Sequence, residues 1–361
     1  MDFSKAFDCI EHRIIKVKLD NLGIRGKINE LICNYLSNRS QKVFYFNKFS
    51  KPQDIKFGVP QGSILGPLIF SIYINDIIKA STSLQQTLYA DDGNSSLCGN
   101  NPDVLVERLN FELISLRRWI IANGLLLNTD KTVFILFSGV TFHGPLKPVK
   151  IGPSIISRAY NTKFLGLILD CNLTWDNHIT NLCSKLSKVN GIIYQIRNKL
   201  SRGALLNIYY SLCYSLFTYG ITIWGGACAI YVNKVYMIQK KLLRTISFSS
   251  KFSLMTPVFN DLKILKLCNV YKLFLSILGF KVIFMNYSLN IFHIIHHNQG
   301  TRGSGTLLRL PNSQNCSHLS RSVFCNLPRT WNEIYRIALN ANNILQFKRD
   351  IKSKLFIEQM L

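Results

Sequence analysis

The sequence predicts an α+β fold: an antiparallel sheet with helices on one face over roughly residues 1–170, followed by a mostly helical region. Three observations predict it. Short β-branched and aromatic runs alternate with segments of helical periodicity in the first part. From Asp176 onward the apolar residues Ile179, Leu182, Leu186, Val189 and Ile193 keep helical spacing. Between them, residues 87–97 read as a tight hairpin with the adjacent carboxylates Asp91 and Asp92 at its tip.

In chain order, residues 2–7 read as a short buried strand running into a helix over 12–22, which Gly23 stops. A second helix is predicted over 27–36. Residues 41–58 read as a hairpin with Val43-Phe44-Tyr45-Phe46 on one arm and Ile55-Lys56-Phe57 on the other. A glycine-rich turn over 58–62 leads into an apolar helix over about 67–79, and the hairpin of Asp91 and Asp92 follows. Leu105, Leu109, Leu113, Leu116 and Ile120 define one face of a helix over 103–123 that Gly124 ends. Residues 133–137 and 164–169 read as strands, 176 to about 290 as helical, and the last 70 or so as less regular, opening on the polar run 298–305. Residues 204–232 carry no charge and could span a membrane by length; with Asn207, several Ser, Thr and Tyr residues and Gly225-Gly226, they read as a buried helix with a turn.

The 361 residues suffice for two or three domains. With 43 Lys+Arg against 19 Asp+Glu the formal net charge is +24, which attracts polyanions; nucleic acid leads and an anionic membrane surface competes. The 10 Cys are scattered singly with no C-x-x-C pair, and the histidines complete no zinc spacing, so a zinc finger is unsupported. No charged-then-apolar leader opens the sequence; the expectation is an intracellular protein, nuclear or cytoplasmic and not secreted, with reduced thiols. His293, His296 and His297 read as a helix-surface group without metal.

Adjacent carboxylates repel, so Asp91-Asp92 is either a solvated turn or a cradle for a cation such as Mg²⁺. Two further segments accompany it: Asp2-Phe3-Ser4-Lys5-Ala6-Phe7-Asp8, a carboxylate on a strand with an aromatic five positions on, and Gly58-Val59-Pro60-Gln61-Gly62-Ser63-Ile64-Leu65-Gly66-Pro67, a turn whose backbone amides can approach a nucleotide. A phosphoryl-transfer polymerase needs such parts, because carboxylates on adjacent strands can hold two divalent ions about 3.5–4 Å apart.

These segments resemble motifs A, B and C of reverse transcriptases, in the forms used by non-LTR (LINE-type), jockey-like retrotransposons. The likeness continues through Leu127-Asn128-Thr129-Asp130-Lys131-Thr132, similar to motif D, and Lys163-Phe164-Leu165-Gly166, similar to the primer-grip motif E. The resemblance implies a right-hand polymerase: a palm over 1–170, a helical thumb or connection over 171–290 and a C-terminal region, 291–361, with no assigned role. It implies RNA-directed DNA synthesis from dNTPs on an RNA template and DNA primer, no membrane, and two Mg²⁺ ions with Mn²⁺ as substitute. An element-encoded RNA-binding protein is a further candidate partner; oligomeric state stays open. Asp2, Asp91 and Asp92 would be metal ligands, with the Phe3 carbonyl as a fourth. Phe7 would stack under the sugar and exclude a ribose 2′-hydroxyl, with a core aromatic as the alternative. Pro60, Gln61 and Gly62 would line the nucleotide pocket. Lys131 would protonate pyrophosphate, with an ordinary solvated lysine as the alternative. Leu165 and Gly166 would position the primer, and Asp8 reads as a helix N-cap. In the family, a fingers region precedes motif A, and an endonuclease domain stands at the amino terminus. Motif A begins here at the second residue, so the chain is expected to be truncated, with Asp2 on a fraying end. The second reading is therefore an inactive remnant that at most binds nucleic acid, and weak or absent primer extension is expected.

Overall fold

The computed structural model describes residues 1–138, 142, 144–285, 287, 308 and 320–360. The chain divides into two compact units, Met1–Leu136 with Thr141–Leu165, and Phe137–Val140 with Gly166–Leu361. His293, His296 and His297 lie outside the described residues.

The first unit opens differently from the continuous strand predicted over 2–7. Asp2 and Phe3 make single antiparallel bridges, Lys5 adopts a left-handed φ of 47°, and Ala6–Asp8 coil into a 3₁₀ turn. Asp8 therefore ends that turn and is not a helix N-cap; the residue before helix α1 (His12–Asn21) is Glu11. Helix α2 (Lys27–Leu36) follows.

The predicted hairpin over 41–58 has a different register. Strand β1 (Ser40–Gln41) pairs antiparallel with β4 (Gln53–Asp54), and inside them β2 (Phe44–Tyr45) pairs with β3 (Lys48–Phe49). The chain reverses at Phe46 and Asn47, both at positive φ (44° and 55°), far earlier than arms ending at Phe46 and starting at Ile55 require.

Helix α3 (Leu65–Ile74) buries Ile69, Phe70, Tyr73 and Ile74 and runs into a 3₁₀ turn, Asn75–Ala80. Strands β5 (Gln85–Tyr89) and β6 (Asp92–Ser96) form the predicted hairpin, with Tyr89 opposite Asp92. Helix α4 (Pro102–Ala122) starts where Asn101 Oδ1 accepts from the Asp103 amide at 2.9 Å, with Pro102 in the first turn. It turns Val106, Leu113, Leu116 and Ile120 into a core shared with Phe3, Ile15, Leu19, Phe70 and Tyr73. Strand β7 (Val133–Phe134), shorter than predicted, runs parallel to β9 (Ser154–Arg158), which pairs antiparallel with β8 (Val149–Ile151).

The strand predicted over 164–169 is interrupted. Strand β10 (Asn161–Phe164) is separated from β11 (Leu167–Asp170) by Leu165 and Gly166, at φ 45° and 82°.

The second unit is helical. Before helix α5 (Asp176–Ile196), the buried Asp170 carboxylate accepts from the amides of Asn172, Thr174 and Trp175 at 3.2, 2.9 and 2.8 Å, folding the connecting turn around itself. Residues 204–232 hold a helix broken by turns: α6 (Arg202–Ile208), a π-helical stretch Tyr209–Tyr214, α7 (Ser215–Thr218), a break at Tyr219 and Gly220, and α8 (Ile221–Trp224). Helices α9 (Ala229–Ser247), α10 (Met255–Asp261) and α11 (Leu267–Phe284) follow. Among the described residues α11 is the helix long and apolar enough to cross a membrane; it places Leu267, Val270, Leu275 and Phe280 in this unit's core. Gln239 is buried there with its amide satisfied: Nε2 donates to the Leu265 carbonyl at 3.0 Å and Oε1 accepts from the Leu267 amide at 3.0 Å.

Over 320–360 the irregular C-terminus expected from the sequence is corrected by two long helices, α12 (Val323–Leu339) and α13 (Ile344–Met360), while the polar run 298–305 lies outside the described residues. Trp331 of α12 and Phe347 of α13 are fully buried and meet the core through Phe280, whose ring lies 4.6 Å from that of Phe347.

His178 links this unit to solution pH. It is buried between Trp175 and Trp224, and its Nδ1 accepts from the Ile168 amide at 3.4 Å, which requires the neutral ring. Burial, with a smaller contribution from Lys185, lowers its pKa from the ordinary 6.5. As pH falls, the unfolded chain takes up the proton first, so stability is lost from about pH 7 downward through the folded-state pKa, by about 1.4 kcal/mol per unit of depression. Urea unfolding of wild type and His178→Gln between pH 7.5 and 5 checks this; the substitution should flatten the slope.

Candidate active site

The site is built from main-chain pairing. The Met1 amine donates to the Gly93 carbonyl at 2.7 Å, and the Gly93 amide donates back to the Met1 carbonyl at 3.3 Å. On the other side the Asn128 amide donates to the Asp2 carbonyl and the Ser4 amide to the Leu126 carbonyl, both at 2.8 Å. Residues 1–4 thus run as a strand between β6 and residues 126–128, with Asp2 opposite Asp92 and Phe3 opposite Leu127. Asp2 is held from both sides, contrary to the fraying expected of it.

Alternation along this strand sorts the side chains. Phe3 and Gly93 are buried, while Asp2 is half-buried and Asp92 exposed, so the two carboxylates share the solvent face. Because Met1 and Gly93 exchange both hydrogen bonds, Asp2 and Asp92 form the neighbouring pair without hydrogen bonds, the closer kind, with Cα atoms typically about 4.5 Å apart. Like charges directly opposite destabilise a sheet. Asp91 stands beside them on the turn, where Ala90 holds a left-handed φ of 52° despite its side chain. Strained backbone of this kind persists where surrounding structure over-determines it; here the strands on both sides of the turn do so.

Two residues from 127–132 complete the edge. Lys131 Nζ lies 3.8 Å from Asp2 Oδ2, with a side chain 73% exposed, so the pair contributes little to stability. Thr132 is buried; its Oγ1 donates to the Asn128 carbonyl at 2.8 Å and lies 3.3 Å from the Asp2 amide, which donates to it. This positioning role of Thr132 was missed by sequence reasoning. Its signal is the Asn128 turn, in which Oδ1 accepts from the Lys131 amide at 3.2 Å.

The second group gathers Phe7, Pro60, Gln61 and Gly62. Phe7 is half-buried against Phe70, ring centroids 4.8 Å apart. The Val59 amide donates to the Phe7 carbonyl at 2.9 Å and the Gly58 amide to the Ile10 carbonyl at 2.8 Å. Gln61 Nε2 donates to Asp8 Oδ1 at 3.1 Å. At Gly58 (φ 84°) a Cβ would stand 2.9 Å from Asp8 Cα and 3.0 Å from the Phe7 carbonyl oxygen, so only glycine allows this approach. Gln61 and Gly62 are exposed and Pro60 half-buried. Leu165 closes the first unit and Gly166 opens the second, where a Cβ on Gly166 would stand 3.1 Å from the Tyr219 ring.

The donor set of Asp2, Asp91 and Asp92 is all carboxylate oxygen, the chemistry that hard divalent cations take. Their backbone lies on one sheet edge, yet among the described residues no three His, Cys, Asp or Glu side chains converge closely enough to hold a metal ion. The residues fit the ion in donor type and in the adjacent backbone positions of Asp2 and Asp92.

The first unit thus sets a carboxylate-bearing hairpin beside a carboxylate-bearing strand, with a glycine-rich turn opening a helix. Residues 1–169 match the family described as reverse transcriptase (RNA-dependent DNA polymerase). The chain is 28% identical over 280 residues to the RNA-directed DNA polymerase from mobile element jockey of Drosophila melanogaster, covering 74% of this chain and 30% of that protein. It is 29% identical over 282 residues to the protein of the same name from Drosophila funebris, at 74% and 30% coverage. A retrovirus-related Pol polyprotein from type-1 retrotransposable element R1 of Bradysia coprophila is 26% identical over 233 residues, at 62% and 22% coverage. Residues 1–169 thus carry a reverse transcriptase domain, and the chain is similar to the polymerases of non-LTR (LINE-type) retrotransposons. It spans about 30% of the length of the jockey relatives it matches.

Gly58→Ala tests the coupling of the two groups. It should cost roughly 2–4 kcal/mol of stability, from strain at positive φ and the backbone clash. Urea unfolding measures it; a loss below about 0.5 kcal/mol, the range of ordinary surface substitutions, would show that the approach is not tight.

Proposed function

We propose that the first unit is the palm of an RNA-directed DNA polymerase, adding deoxynucleotides to a primer 3′-hydroxyl along an RNA template. The observation that carries this is Asp2 directly opposite Asp92 on one solvent face, with Asp91 on the adjoining turn.

Asp2, Asp91 and Asp92 would hold divalent cations, Mg²⁺ or Mn²⁺. When bound, such ions favour ionisation of the attacking hydroxyl and neutralise charge on the leaving pyrophosphate. The other roles fall to the chain's own residues. The Phe3 carbonyl belongs to the same edge. Phe7, backed by Phe70, would offer an aromatic face to the sugar and exclude a 2′-hydroxyl. Pro60, Gln61 and Gly62 supply the nucleotide pocket, with Gln61 steadied by Asp8. Lys131, exposed and next to Asp2, can deliver a proton to departing pyrophosphate. Leu165 and Gly166 form a sharp reversal suited to supporting a primer strand. The helical second unit, from Gly166 onward, is read as the thumb and its continuation. The net charge of +24 suits an RNA–DNA hybrid gripped through its phosphates, and an element-encoded RNA-binding protein is a candidate partner.

Primer extension on an RNA template with Mg²⁺ tests this reading. Template-dependent synthesis is expected, in place of the weak or absent extension read from the sequence, because Asp2 is held by backbone bonds on both sides; Asp91→Asn or Asp92→Asn should reduce its rate on the order of 10³-fold, as loss of several kcal/mol of charge stabilisation implies. Extension at an unchanged rate in both variants would contradict it.

A further inference from the structure

The hairpin of β2 and β3 presents an aromatic surface that the polymerase chemistry does not use. Tyr45, Phe46 and Phe49 are 71%, 82% and 70% exposed, and Val43, Phe44 and Phe57 are exposed beside them. Phe44 and Phe49 face each other across the strands with ring centroids 4.7 Å apart, and Tyr45 meets Phe46 edge-on at 4.6 Å. Single exposed apolar residues are ordinary, but a contiguous exposed patch marks an interaction site.

Two independent features say what it binds. First, Phe46 sits at φ 44° with Asn47 at φ 55°, a two-residue reversal in which glycine, asparagine and aspartate are the favoured occupants. A bulky ring in left-handed backbone, with its face in water, is strain without compensating burial, and such strain points to a function for the ring. Second, the rings are interleaved with cations. Lys42, Lys48, Lys51 and Lys56 stand between and beside them in the sequence against one acid, Asp54, a local excess of +3. Among the described residues none of these four lysines has an ion pair. Flat aromatic faces beside unpaired lysines match unstacked bases joined by phosphates; a duplex hides its base faces and an acidic peptide has no use for the rings.

We propose that the hairpin Ser40–Gln41 to Gln53–Asp54 is a second, non-catalytic site that binds single-stranded nucleic acid by base stacking on Tyr45, Phe46 and Phe49, with its lysines on the phosphates. The inference rests on the reading that the chain handles nucleic acid, but not on the carboxylate site.

Fluorescence anisotropy of the full chain with a labelled 12-nucleotide single strand, with a blunt duplex of equal length as control, tests it. Phe46→Gly relieves the backbone strain, so its melting temperature should equal or exceed wild type while single-strand affinity falls about tenfold. Tyr45→Ser with Phe49→Ser should lower that affinity by tenfold or more and duplex affinity by less than twofold. Lys48→Glu should reduce the salt slope of single-strand binding by about 0.7 or more. Asp91→Asn should leave single-strand binding unchanged, so a failure of primer extension and a failure of this site are read separately. Unchanged single-strand affinity in the aromatic variants would overturn the proposal. So would equal losses on strand and duplex. A wild-type dimer in sedimentation that the aromatic variants dissolve, with single-strand affinity intact, would assign the face to a second copy instead.

Discussion

The pairing of residues 1–4 between β6 and residues 126–128 is the constraint on which the rest of the site depends. It converts three stretches far apart in sequence into neighbouring strands of one layer, using backbone hydrogen bonds that do not depend on side-chain identity. Its register then decides everything chemical. Phe3 goes into the core with Leu113, Leu116 and Ile120, and Asp2 goes to the solvent face beside Asp92. A slip of one residue would bury the carboxylate and expose the ring, so the core itself enforces the placement of the acid. The cost is a like-charge pair at the closest cross-strand spacing, relieved in part by Lys131 and most simply by a cation.

The approach of Gly58 to the backbone of Phe7 and Asp8 is the second constraint, and it works on the same strand from its other end. The 3₁₀ turn Ala6–Asp8 would be a loose connector on its own. Backbone bonds from Gly58 and Val59 and the Gln61 amide dock it onto the turn that opens α3. The aromatic of Phe7, the exposed Gln61 and Gly62, and the acid of Asp2 are thereby placed by one short segment. Burial around Phe70 and Tyr73, worth about 1.5–3 kcal/mol for each fully buried large side chain, supplies the rigidity behind them.

Much of this was legible in the sequence, for identifiable reasons. The helix over 103–123 carries sustained periodicity and a clear stop signal, and the structure places it at Pro102–Ala122; the helix over 27–36 stands at Lys27–Leu36. The hairpin of Asp91 and Asp92 is bounded by strand-forming runs. Two of the misses share a cause: each depended on a backbone conformation that residue type does not advertise. Phe46 and Leu165 adopt positive φ without being glycine or asparagine, which shifted one hairpin and broke one predicted strand. Helix α12 contains Pro328, which reads as a breaker yet is buried within the helix, so a regular C-terminus was overlooked. Thr132 was missed because its role, holding the Asp2 amide across 130 residues of sequence, exists only once the strands are paired.

The proposed function rests on one claim, that Asp2, Asp91 and Asp92 together form a divalent-cation site. Electron paramagnetic resonance titration with Mn²⁺ tests it most directly, because free and bound ions are counted without any requirement for turnover. Saturable Mn²⁺ binding that Mg²⁺ displaces, weakened at least tenfold by Asp2→Asn, Asp91→Asn and Asp92→Asn separately, is the predicted result, as expected when a hard cation loses one of three carboxylate ligands. Mn²⁺ affinity unchanged in all three variants would contradict it.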